Sequence, residues 1–506
     1  MEWRNLWKIS LKVAMNKYIW LNEKDNVIVA LKDIKKNEKV NNLTVNEDIH
    51  QGHKIAIKDI KCGEKVFKYG YAIGVATKNI KPGDHVHTHN VKTLLDTAST
   101  YHYDKNVIVN KFSFEDKKVL IYKRSNGKYG IRNNILILPL VGCINSTVLK
   151  IKEEFLKRNA LEGIDDIIAI THPYGCSQIG DDMMFTKETL ASIALHPNFG
   201  GVLIVSLGCE NNQLKPFLDC LGDYDKTRIK SIVIQDTKDD IEDSIKLLDE
   251  IYSVIKNDSR TETPLSNIVI GLKCGGSDGL SGITANPLVG MISDYFVMNG
   301  ASSILTEVPE MFGAEQVLMN RCKDENTYNK TVKMINDFKY YYKNHNQVCY
   351  ENPSPGNKEG GITTLEDKSL GCIQKGGYSE IVDVLKENQK VVNKGLNLLN
   401  GPGNDIVSTT NLICSDANLI LFTTGRGTPF GSIVPTIKIS SNSLLYNKKE
   451  NWFDYNAGSV VDGKPFDETF YELLDIVIKT INGEYKTKNE LNKLYDIAIF
   501  KDGVTL

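Results

Sequence analysis

Four cysteines in this chain each stand just beyond a short apolar segment that is typical of a buried strand. In chain order, Cys143 follows residues 135–138, Cys176 follows residues 167–170, Cys209 follows residues 202–205 and Cys274 follows residues 268–270. Continuously apolar runs of this length suit strands that are buried on both faces of a parallel sheet. Ligands of such sheets bind beyond the carboxyl ends of the strands, so we expect these thiols to gather along one edge of one sheet.

A second interpretation is that each cysteine is a small buried residue, since free cysteine is among the residues most often found in protein cores. Each of the four, however, has Gly, Ser, Asn or Gln beside it. Polar, glycine-containing surroundings that recur four times favour the rim of an active site.

The composition excludes several other classes of protein. The chain has 506 residues, which predicts about three domains, and a net charge of −2 from 61 basic and 63 acidic residues. This balance gives no reason to expect a nucleic-acid or membrane-surface partner. No apolar run approaches the roughly 20 residues that span a bilayer, and charges interrupt the start of the chain where a signal peptide would be apolar. The ten cysteines lack the dense spacing of a secreted disulfide scaffold, so we expect reduced thiols in the cytoplasm.

The pattern of apolar residues divides the chain into a small all-β domain and two α/β domains. Residues 15–92 show short alternating strands separated by turns, and residues 93–117 are polar and irregular, as in a linker. From residue 118 strands alternate with helical patterns, including a helix predicted over 239–256. A polar stretch near residue 258 separates a second domain, 118–258, from a C-terminal domain, 259–506. We therefore predict a multidomain α/β protein with largely parallel sheets.

Three histidines close the predicted β domain. On a strand, alternation would place His85, His87 and His89 on the same face. Imidazole nitrogens are good ligands for Fe, Zn, Mn or Ni, whereas three unpaired rings are costly to bury. The alternative is an exposed edge strand with solvated histidines. Three of the nine histidines of the chain lie within five residues, which favours a metal site.

The loop at residues 171–182 follows a predicted strand and offers groups for acid/base chemistry. We take His172 as the first candidate for proton transfer. Asp181 and Asp182 are equally well explained as caps of a helix that begins near Met183.

A glycine-rich loop at residues 273–282 follows another strand and can present backbone amides to an anion. Its spacing matches neither the dinucleotide fingerprint nor the phosphate loop, which argues for a carboxylate-bearing substrate rather than a nucleotide. Lys273 and Asp278 in this loop are weaker acid/base candidates, and Ser277 is a candidate for substrate binding.

Arg426 lies between Gly425 and Gly427 just after a predicted strand. Its guanidinium could grip a carboxylate through two parallel hydrogen bonds, or it is a surface arginine in a mobile turn. The turn-rich loop at residues 352–361 is long for a mere connection, and we assign its Asn357 to substrate binding as well.

These loops resemble the altronate/galactarate dehydratase family, and the resemblance covers the whole chain apart from residues 1–14. The motifs that carry it are Tyr-Gly-Cys-Ser-Gln at 174–178, Leu-Gly-Cys-Glu-Asn-Asn-Gln at 207–213, Cys-Gly-Gly-Ser-Asp-Gly-Leu-Ser-Gly at 274–282, Glu-Asn-Pro-Ser-Pro-Gly-Asn-Lys at 351–358, Gly-Ile-Thr-Thr-Leu-Glu-Asp-Lys-Ser-Leu-Gly-Cys at 361–372 and Thr-Thr-Gly-Arg-Gly-Thr-Pro at 423–429. The β domain resembles the family's SAF (β-clip) domain, which ends in His-x-His-Asn. Residues 278–282 and 497–506 look more like the altronate-specific members than the galactarate-specific ones, and Met15 would be a natural start.

The resemblance implies a hydro-lyase that converts D-altronate to 2-dehydro-3-deoxy-D-gluconate in hexuronate catabolism, with galactarate or another sugar acid as the alternative substrate. It also implies dependence on iron(II), with manganese as a substitute, and no nucleotide cofactor. We expect a homo-oligomer, a dimer.

We expect the metal to be held by His87 and His89 together with the thiols of Cys143, Cys176 and Cys209. A rival interpretation is an iron–sulfur cluster on these thiols or on that of Cys274. A sugar-acid binding protein without catalysis is a third interpretation, which the retention of every polar loop disfavours.

Overall fold

The computed structural model describes residues 17–40, 42–95, 100–106 and 117–503. Residues 1–14 and most of the predicted linker at 93–117 therefore lie outside the described residues, as do residues 504–506. In the part of the chain that is described, no helix is long and apolar enough to cross a membrane.

The N-terminal domain is built from short antiparallel strands, as its alternating sequence predicts. Its strands β1 to β9 span Tyr18–Ile19, Val27–Ala30, Lys39–Val40, Leu43–Thr44, Lys54–Ala56, Lys65–Lys68, Tyr71–Ala76, His85–Val86 and Val91–Lys92. They form a four-stranded sheet in the order β1-β2-β5-β8, a three-stranded sheet β6-β7-β9 and the pair β3-β4. Buried Ile55, Val66 and Ile73 lie in the interior of this domain, because alternate residues of each strand face the same side.

The second domain has a parallel four-stranded sheet with helices around it. Strands β12 to β15 span Asn134–Pro139, Ile167–Ala169, Phe199–Ser206 and Ile229–Val233, and helices α1 to α4 span Asn145–Arg158, Gly180–Ala194, Leu214–Leu221 and Asp240–Ile255. The sheet order is β13-β12-β14-β15. Helix α4 confirms the helix predicted over 239–256, and the Asp239 side chain caps it by accepting a hydrogen bond from the Glu242 N–H at 3.0 Å.

The two ends of the second domain are joined by antiparallel strands. Strand β10, Lys118–Lys123, pairs with β16, Thr261–Pro264, on one side and with the short β11, Tyr129–Gly130, on the other. The register places Ile121 opposite Thr261. The parallel sheet of the second domain therefore begins after β10 and ends before β16, and these two strands lie side by side.

The C-terminal domain is built around a seven-stranded parallel sheet in the order β19-β20-β18-β17-β21-β22-β23. Strands β17 to β23 span Val269–Cys274, Ser302–Leu305, Ile381–Leu385, Leu396–Leu399, Leu419–Thr424, Thr436–Ser440 and Tyr455–Asn456. Helices α5 to α13 span Ala285–Met298, Glu315–Met319, Glu325–Asn344, Pro355–Glu359, Leu365–Cys372, Asp405–Cys414, Ser443–Lys448, Phe466–Asn482 and Lys488–Leu491. Helix α12 buries Phe470, Leu473, Val477 and Ile481, three to four residues apart, against the rest of the domain. The predicted fold class is confirmed.

The expectation that the four cysteine loops share one sheet is wrong for one of them. Cys143, Cys176 and Cys209 follow strands β12, β13 and β14 of the second domain, whereas Cys274 is the last residue of β17 in the C-terminal sheet. Buried parallel strands of different sheets have the same apolar sequence pattern, so the pattern could not separate them.

Candidate active site at the domain junction

Three histidine rings of the β domain meet at its junction with the C-terminal domain. His53 Nδ1 lies 2.9 Å from His85 Nε2, and the ring centroids of His53 and His87 are 5.0 Å apart. Potential ligand atoms of these three residues all lie within 4.8 Å of one another. Strand β8 ends at Val86, so the expected alternation does not continue to His89, which instead groups with Glu47 and His85.

Burial keeps these imidazoles neutral. It lowers the pKa of His53, and together with neighbouring positive charge it lowers the pKa of both His85 and His87 to about 3. Neutral rings have a free nitrogen lone pair, which metal ligation requires. Two contacts join the cluster to the C-terminal domain: His53 Nε2 lies 3.0 Å from the Glu359 carbonyl oxygen, and His87 Nδ1 lies 3.2 Å from the Thr363 hydroxyl.

The β domain is held in this place by a buried charge cluster. Asp367 in helix α9 binds Lys54 at 2.8 Å and Lys68 at 3.0 Å, and the three side chains are almost wholly buried. Close backbone packing supports the contact, since a Cβ atom on Gly279 would lie 2.0 Å from the Gly52 carbonyl oxygen. A side chain at Gly279 would therefore push the two domains apart.

A second cluster lies at the carboxyl end of strand β17. The Cys274 thiol lies 3.5 Å from that of Cys372, at the end of helix α9, and both thiols donate to Glu310 Oε2, at 2.9 and 3.1 Å. Lys375 donates to Cys274 Sγ at 2.8 Å. Cys274, Glu310 and Cys372 also have ligand atoms within 4.8 Å of one another. Burial raises the pKa of the Cys274 thiol, and its neighbours Cys372 and Glu307 raise it further.

Buried lysines supply the positive charge of this cluster. Lys273 pairs with Glu307 and, at 2.9 Å, with Asp405, while Lys368 pairs with Glu310 at 2.7 Å. Burial alone would lower the pKa of each lysine, but the neighbouring carboxylates raise it above its usual range. Both lysines are therefore ammonium groups at neutral pH, which leaves the predicted acid/base residue Lys273 without the free amine of a base.

A cavity of about 490 Å³ opens beside this cluster. Residues that border it include Gly275, Gly276, Glu310, Phe338, Tyr341, Tyr342, Asn352, Asn357, Lys368, Asp405 and Phe500. Lys368 Nζ lies in its wall, 3.0 Å from Asn352 Oδ1 and 3.3 Å from Asn357 Oδ1. These two amides and Glu310 take up the three N–H donors of Lys368, so the group offers the carboxylate of a sugar acid its positive charge.

Arg426 and Ser277, two predicted substrate-binding residues, lie at the glycine-rich loop of residues 273–282, whose Gly275 and Gly276 border the cavity. A Cβ atom on Gly276 would touch the Arg426 side chain at 3.0 Å, and Arg426 forms an ion pair with Glu359 at 2.7 Å. The side chains of this pair are 39% and 73% exposed, so a ligand can reach both. Ser277 is buried, and its carbonyl oxygen accepts a hydrogen bond from Asn357 Nδ2 at 2.8 Å.

Asp278 and His172 are engaged by the protein itself. The Asp278 carboxylate accepts hydrogen bonds from Ser441 at 2.7 Å and Asn442 at 2.9 Å, which fixes the glycine-rich loop. His172 lies in the second domain with Nε2 2.9 Å from the Pro139 carbonyl oxygen, and its Nδ1 accepts from the Tyr174 N–H at 3.2 Å. Burial lowers the pKa of His172. Both residues thus have local structural partners.

The three predicted thiol ligands of the second domain are exposed: Cys143, Cys176 and Cys209. Their loops are joined by hydrogen bonds, such as that from the Gly142 N–H to the Tyr174 carbonyl at 2.8 Å. Among the described residues none of these thiols belongs to a group of three ligand atoms within 4.8 Å. The histidines of the β domain contact the C-terminal domain at Glu359 and Thr363 instead of these loops.

Several residues of the site were not identified from the sequence: His53, Lys368, Cys372, Lys375, Glu307 and Glu310. Most of their contacts join residues that are far apart in the sequence, such as Lys368 and Glu310, so the fold is needed to bring them together. The only local feature of His53 in the sequence is its position directly before a short strand, and this does not indicate a role in the site. For Lys368 and Cys372, the motif at residues 361–372 pointed to the segment but not to a role.

Three family models match consecutive parts of the chain. They are the altronate/galactarate dehydratase SAF domain over residues 16–94, the second domain of D-galactarate dehydratase/altronate hydrolase over 121–256, and the C-terminal domain of D-galactarate/altronate dehydratase over 265–505.

Curated relatives match the chain along almost its full length. Altronate dehydratase of Escherichia coli K12 is 48% identical over 494 residues, which cover 97% of this chain and 100% of the relative. Altronate dehydratase of Bacillus subtilis 168 is 45% identical over 498 residues, with the same coverage. Galactarate dehydratase (L-threo-forming) of Escherichia coli K12 is 30% identical over 510 residues and 96% of each chain.

Proposed function

The chain belongs to the altronate/galactarate dehydratase family, and on that premise we propose that it eliminates water from D-altronate to give 2-dehydro-3-deoxy-D-gluconate. The observation that carries this proposal is the full-length identity of 45–48% to two altronate dehydratases, against 30% to a galactarate dehydratase. The cavity supports it, because its amides and its ammonium group suit a polyhydroxy acid.

The reaction is redox-neutral. The C2–H bond of the substrate breaks and its proton is taken up by a base, the C3–O bond breaks as the hydroxyl leaves with a proton as water, and the enol product rearranges to the 2-keto acid. Removal of the C2 proton builds negative charge on the carboxylate, and fixed cations that face this charge lower the barrier.

Lys368 is the cation best placed for this task. Its ammonium group lies in the cavity wall, and its raised pKa keeps it charged at neutral pH, so it stabilises charge rather than accepting a proton. Asp405, 35% exposed at its side chain, is a carboxylate in the same wall and our candidate for the proton acceptor. Arg426 would exchange Glu359 for the carboxylate of the substrate.

The histidine cluster fits a divalent metal. We propose that His53, His85 and His87 hold iron(II), with manganese(II) as a substitute, since neutral imidazoles suit both ions. A bound metal there supplies Lewis-acid stabilisation of developing negative charge. In the Cys274 cluster, Lys375 already binds the Cys274 thiol and Lys368 already binds the Glu310 carboxylate. This cluster is therefore the poorer site for a metal cation.

An iron–sulfur cluster on Cys143, Cys176 and Cys209 is the alternative cofactor, because their three exposed thiols lie on neighbouring loops. Acid-labile sulfide in anaerobically purified protein distinguishes the two: we expect iron without sulfide. Residence in the cytoplasm and a homodimeric state also stay predictions, and light scattering of the native enzyme tests the latter.

A panel of aldonic and aldaric acids with iron(II) tests the proposed function. We expect kcat/KM for D-altronate to exceed that for galactarate at least roughly tenfold, about 1.4 kcal/mol of discrimination. Comparable values for the two acids would return the assignment to a sugar-acid dehydratase of unspecified substrate, and no turnover of any acid would exclude catalysis.

A further inference from the structure

The C-terminal segment of the described chain runs from the C-terminal domain onto the second domain. Tyr495 donates from its hydroxyl to Asp166 of the second domain at 2.5 Å, and Lys493 pairs with the same carboxylate at 2.7 Å. Farther along, the Asp502 side chain lies 3.0 Å from His345 Nε2, just beyond helix α7. Residues 493–503, which we call the tail, therefore bridge two domains.

One carboxylate of the second domain holds the end of the tail. Asp182, in the first turn of helix α2, accepts the N–H of Asp502 at 3.1 Å and the N–H of Gly503 at 2.8 Å, one on each oxygen. Its side chain is only 10% exposed, and Lys501 Nζ lies 3.8 Å away. The neighbouring Asp181 is exposed. A buried carboxylate with two backbone donors is a strong, directional contact.

The tail also forms part of the cavity wall. Phe500, two residues before the held backbone, borders the cavity together with Phe338, Tyr341 and Tyr342. The ring centroids of Phe500 and Tyr341 are 5.8 Å apart. Phe500 thus contacts one aromatic ring of the cavity wall, and two residues later the chain is held by Asp182.

We propose that Asp182 is a positioning residue that holds Phe500 in the wall of the substrate cavity. The second domain thereby sets the shape of a cavity that it does not line among the described residues. Tyr495 and Lys493 still hold the start of the tail on Asp166, so loss of the clamp releases the end of the tail, residues 500–503. Movement of Phe500 then opens the aromatic wall to water and weakens the electrostatic contacts inside the cavity. The inference rests on the proposed function only for the identity of the substrate.

A purely structural explanation predicts something different. An acid in the first turn of a helix stabilises that helix through its dipole, by about 0.3–1 kcal/mol at an exposed site, whatever the tail does. Asp181 would provide the same effect, since it lies in the same turn. The two residues form a matched pair for the experiment.

The experiment compares Asp182→Ala, Asp182→Asn, Asp181→Ala and Phe500→Ala in the full chain. Hydrogen exchange without substrate measures protection of the tail, and steady-state kinetics with D-altronate separate KM from kcat. We expect Asp182→Ala to lower the protection of the end of the tail, residues 500–503, and to raise KM roughly tenfold with a smaller loss in kcat. The KM and the tail protection of Asp182→Asn should lie between those of Asp182→Ala and those of the unaltered enzyme. Asp181→Ala should have the KM and the tail protection of the unaltered enzyme.

The double variant Asp182→Ala/Phe500→Ala decides whether the two residues act together. If Asp182 acts through Phe500, removal of Asp182 has no further effect once Phe500 is gone. The KM of the double variant should then be no higher than that of Phe500→Ala alone. The proposal would be overturned if the effects of the two substitutions on KM were additive. It would also be overturned if the end of the tail stayed protected in Asp182→Ala, or lost its protection while KM was unaltered. If D-altronate is not turned over, the proposed function fails, and the same kinetics are run with whichever acid of the panel is accepted.

Discussion

Asp367 and Lys368 are consecutive residues of helix α9, yet their charges bind partners in two different domains. The Asp367 carboxylate binds Lys54 and Lys68 of the β domain, whereas the Lys368 ammonium binds Glu310 at the cavity. One helical turn thus fixes both the position of the β domain and the charge of the cavity wall. Variants of the two residues should have different consequences.

Asp367→Asn should destabilise the protein strongly. It leaves two buried ammonium groups without a counter-charge, which costs roughly 3–5 kcal/mol of unfolding free energy. Urea unfolding of the variant measures this. Asp337→Asn is the control, because Asp337 pairs with Lys333 on the surface and should matter by less than about 0.5 kcal/mol. Equal stability of the two variants would show that the cluster does not hold the domain.

Lys368→Met should lower kcat in the protein that remains folded, although it also removes the ammonium group that pairs with the buried Glu310 and so destabilises the fold. Loss of a preorganised charge in the cavity is expected to lower kcat by roughly 10²–10³-fold. Lys368→Arg keeps the charge and should retain part of the activity, while Lys333→Met on the surface should retain all of it. A variant Lys368→Met with unaltered kcat would remove this residue from the mechanism.

Alanine at His53, His85 or His87 should abolish the bound iron. Metal analysis after anaerobic purification measures the stoichiometry, and activity should vanish with a chelator and return with iron(II). His50→Ala is the control: its ring is 6.1 Å from that of His53 but is absent from the ligand groups of the described residues. Iron retained in His87→Ala would refute the proposed site, and iron lost in His89→Ala would favour the group with Glu47.

Arg426→Lys should raise KM. Lysine supplies the charge but not the planar fork that grips a carboxylate, so we expect a roughly tenfold higher KM with little change in kcat. Steady-state kinetics with D-altronate check this. An equal fall in kcat and kcat/KM would mean that the contact forms only in the transition state.

His196 should make the protein sensitive to acid. Burial lowers the pKa of this histidine from 6.5 to about 3 in the folded state, so the unfolded chain takes up the proton first. Its contribution to stability is present above about pH 6.5 and is lost as the pH falls towards 3, by about 1.4 kcal/mol per pH unit.

His196→Gln keeps a donor for the Ala417 carbonyl and removes the titration. Its unfolding free energy should therefore fall less steeply than that of the unaltered protein between pH 6 and pH 4. Parallel slopes in urea unfolding would contradict the assignment.

The sequence was sufficient for the fold class and for several strands and helices, because these follow from local apolar periods. The helix at Asp240–Ile255 and the strand at Leu419–Thr424 both lie where such periods predict them. The assignment of Cys274 to the same sheet as the other three thiols was wrong, because periodicity does not say which sheet a strand joins.

The sequence marks parts of the candidate site only through motifs, and the roles of those residues stay predictions. Asn357 borders the cavity and His87 joins a histidine cluster, as their positions in conspicuous segments suggested. The contact between Cys274 and Cys372 spans 98 residues, and that between His53 and Glu359 spans 306. No local pattern encodes such distances, so these partners required the structure.

The pairing of Lys118–Lys123 with Thr261–Pro264 has an evolutionary consequence. Because Ile121 and Thr261 are cross-strand neighbours, the two ends of the second domain lie next to each other, as in a domain inserted between the two strands of a hairpin. Its removal would need only a tight turn to reconnect the strands. The second domain also shares a hydrophobic core with the sheet that carries the cavity, since Leu136 and Ile204 belong to the same buried cluster as Phe422. A domain exchanged between relatives at these points would therefore have to match that apolar face and to offer an acid that holds the tail.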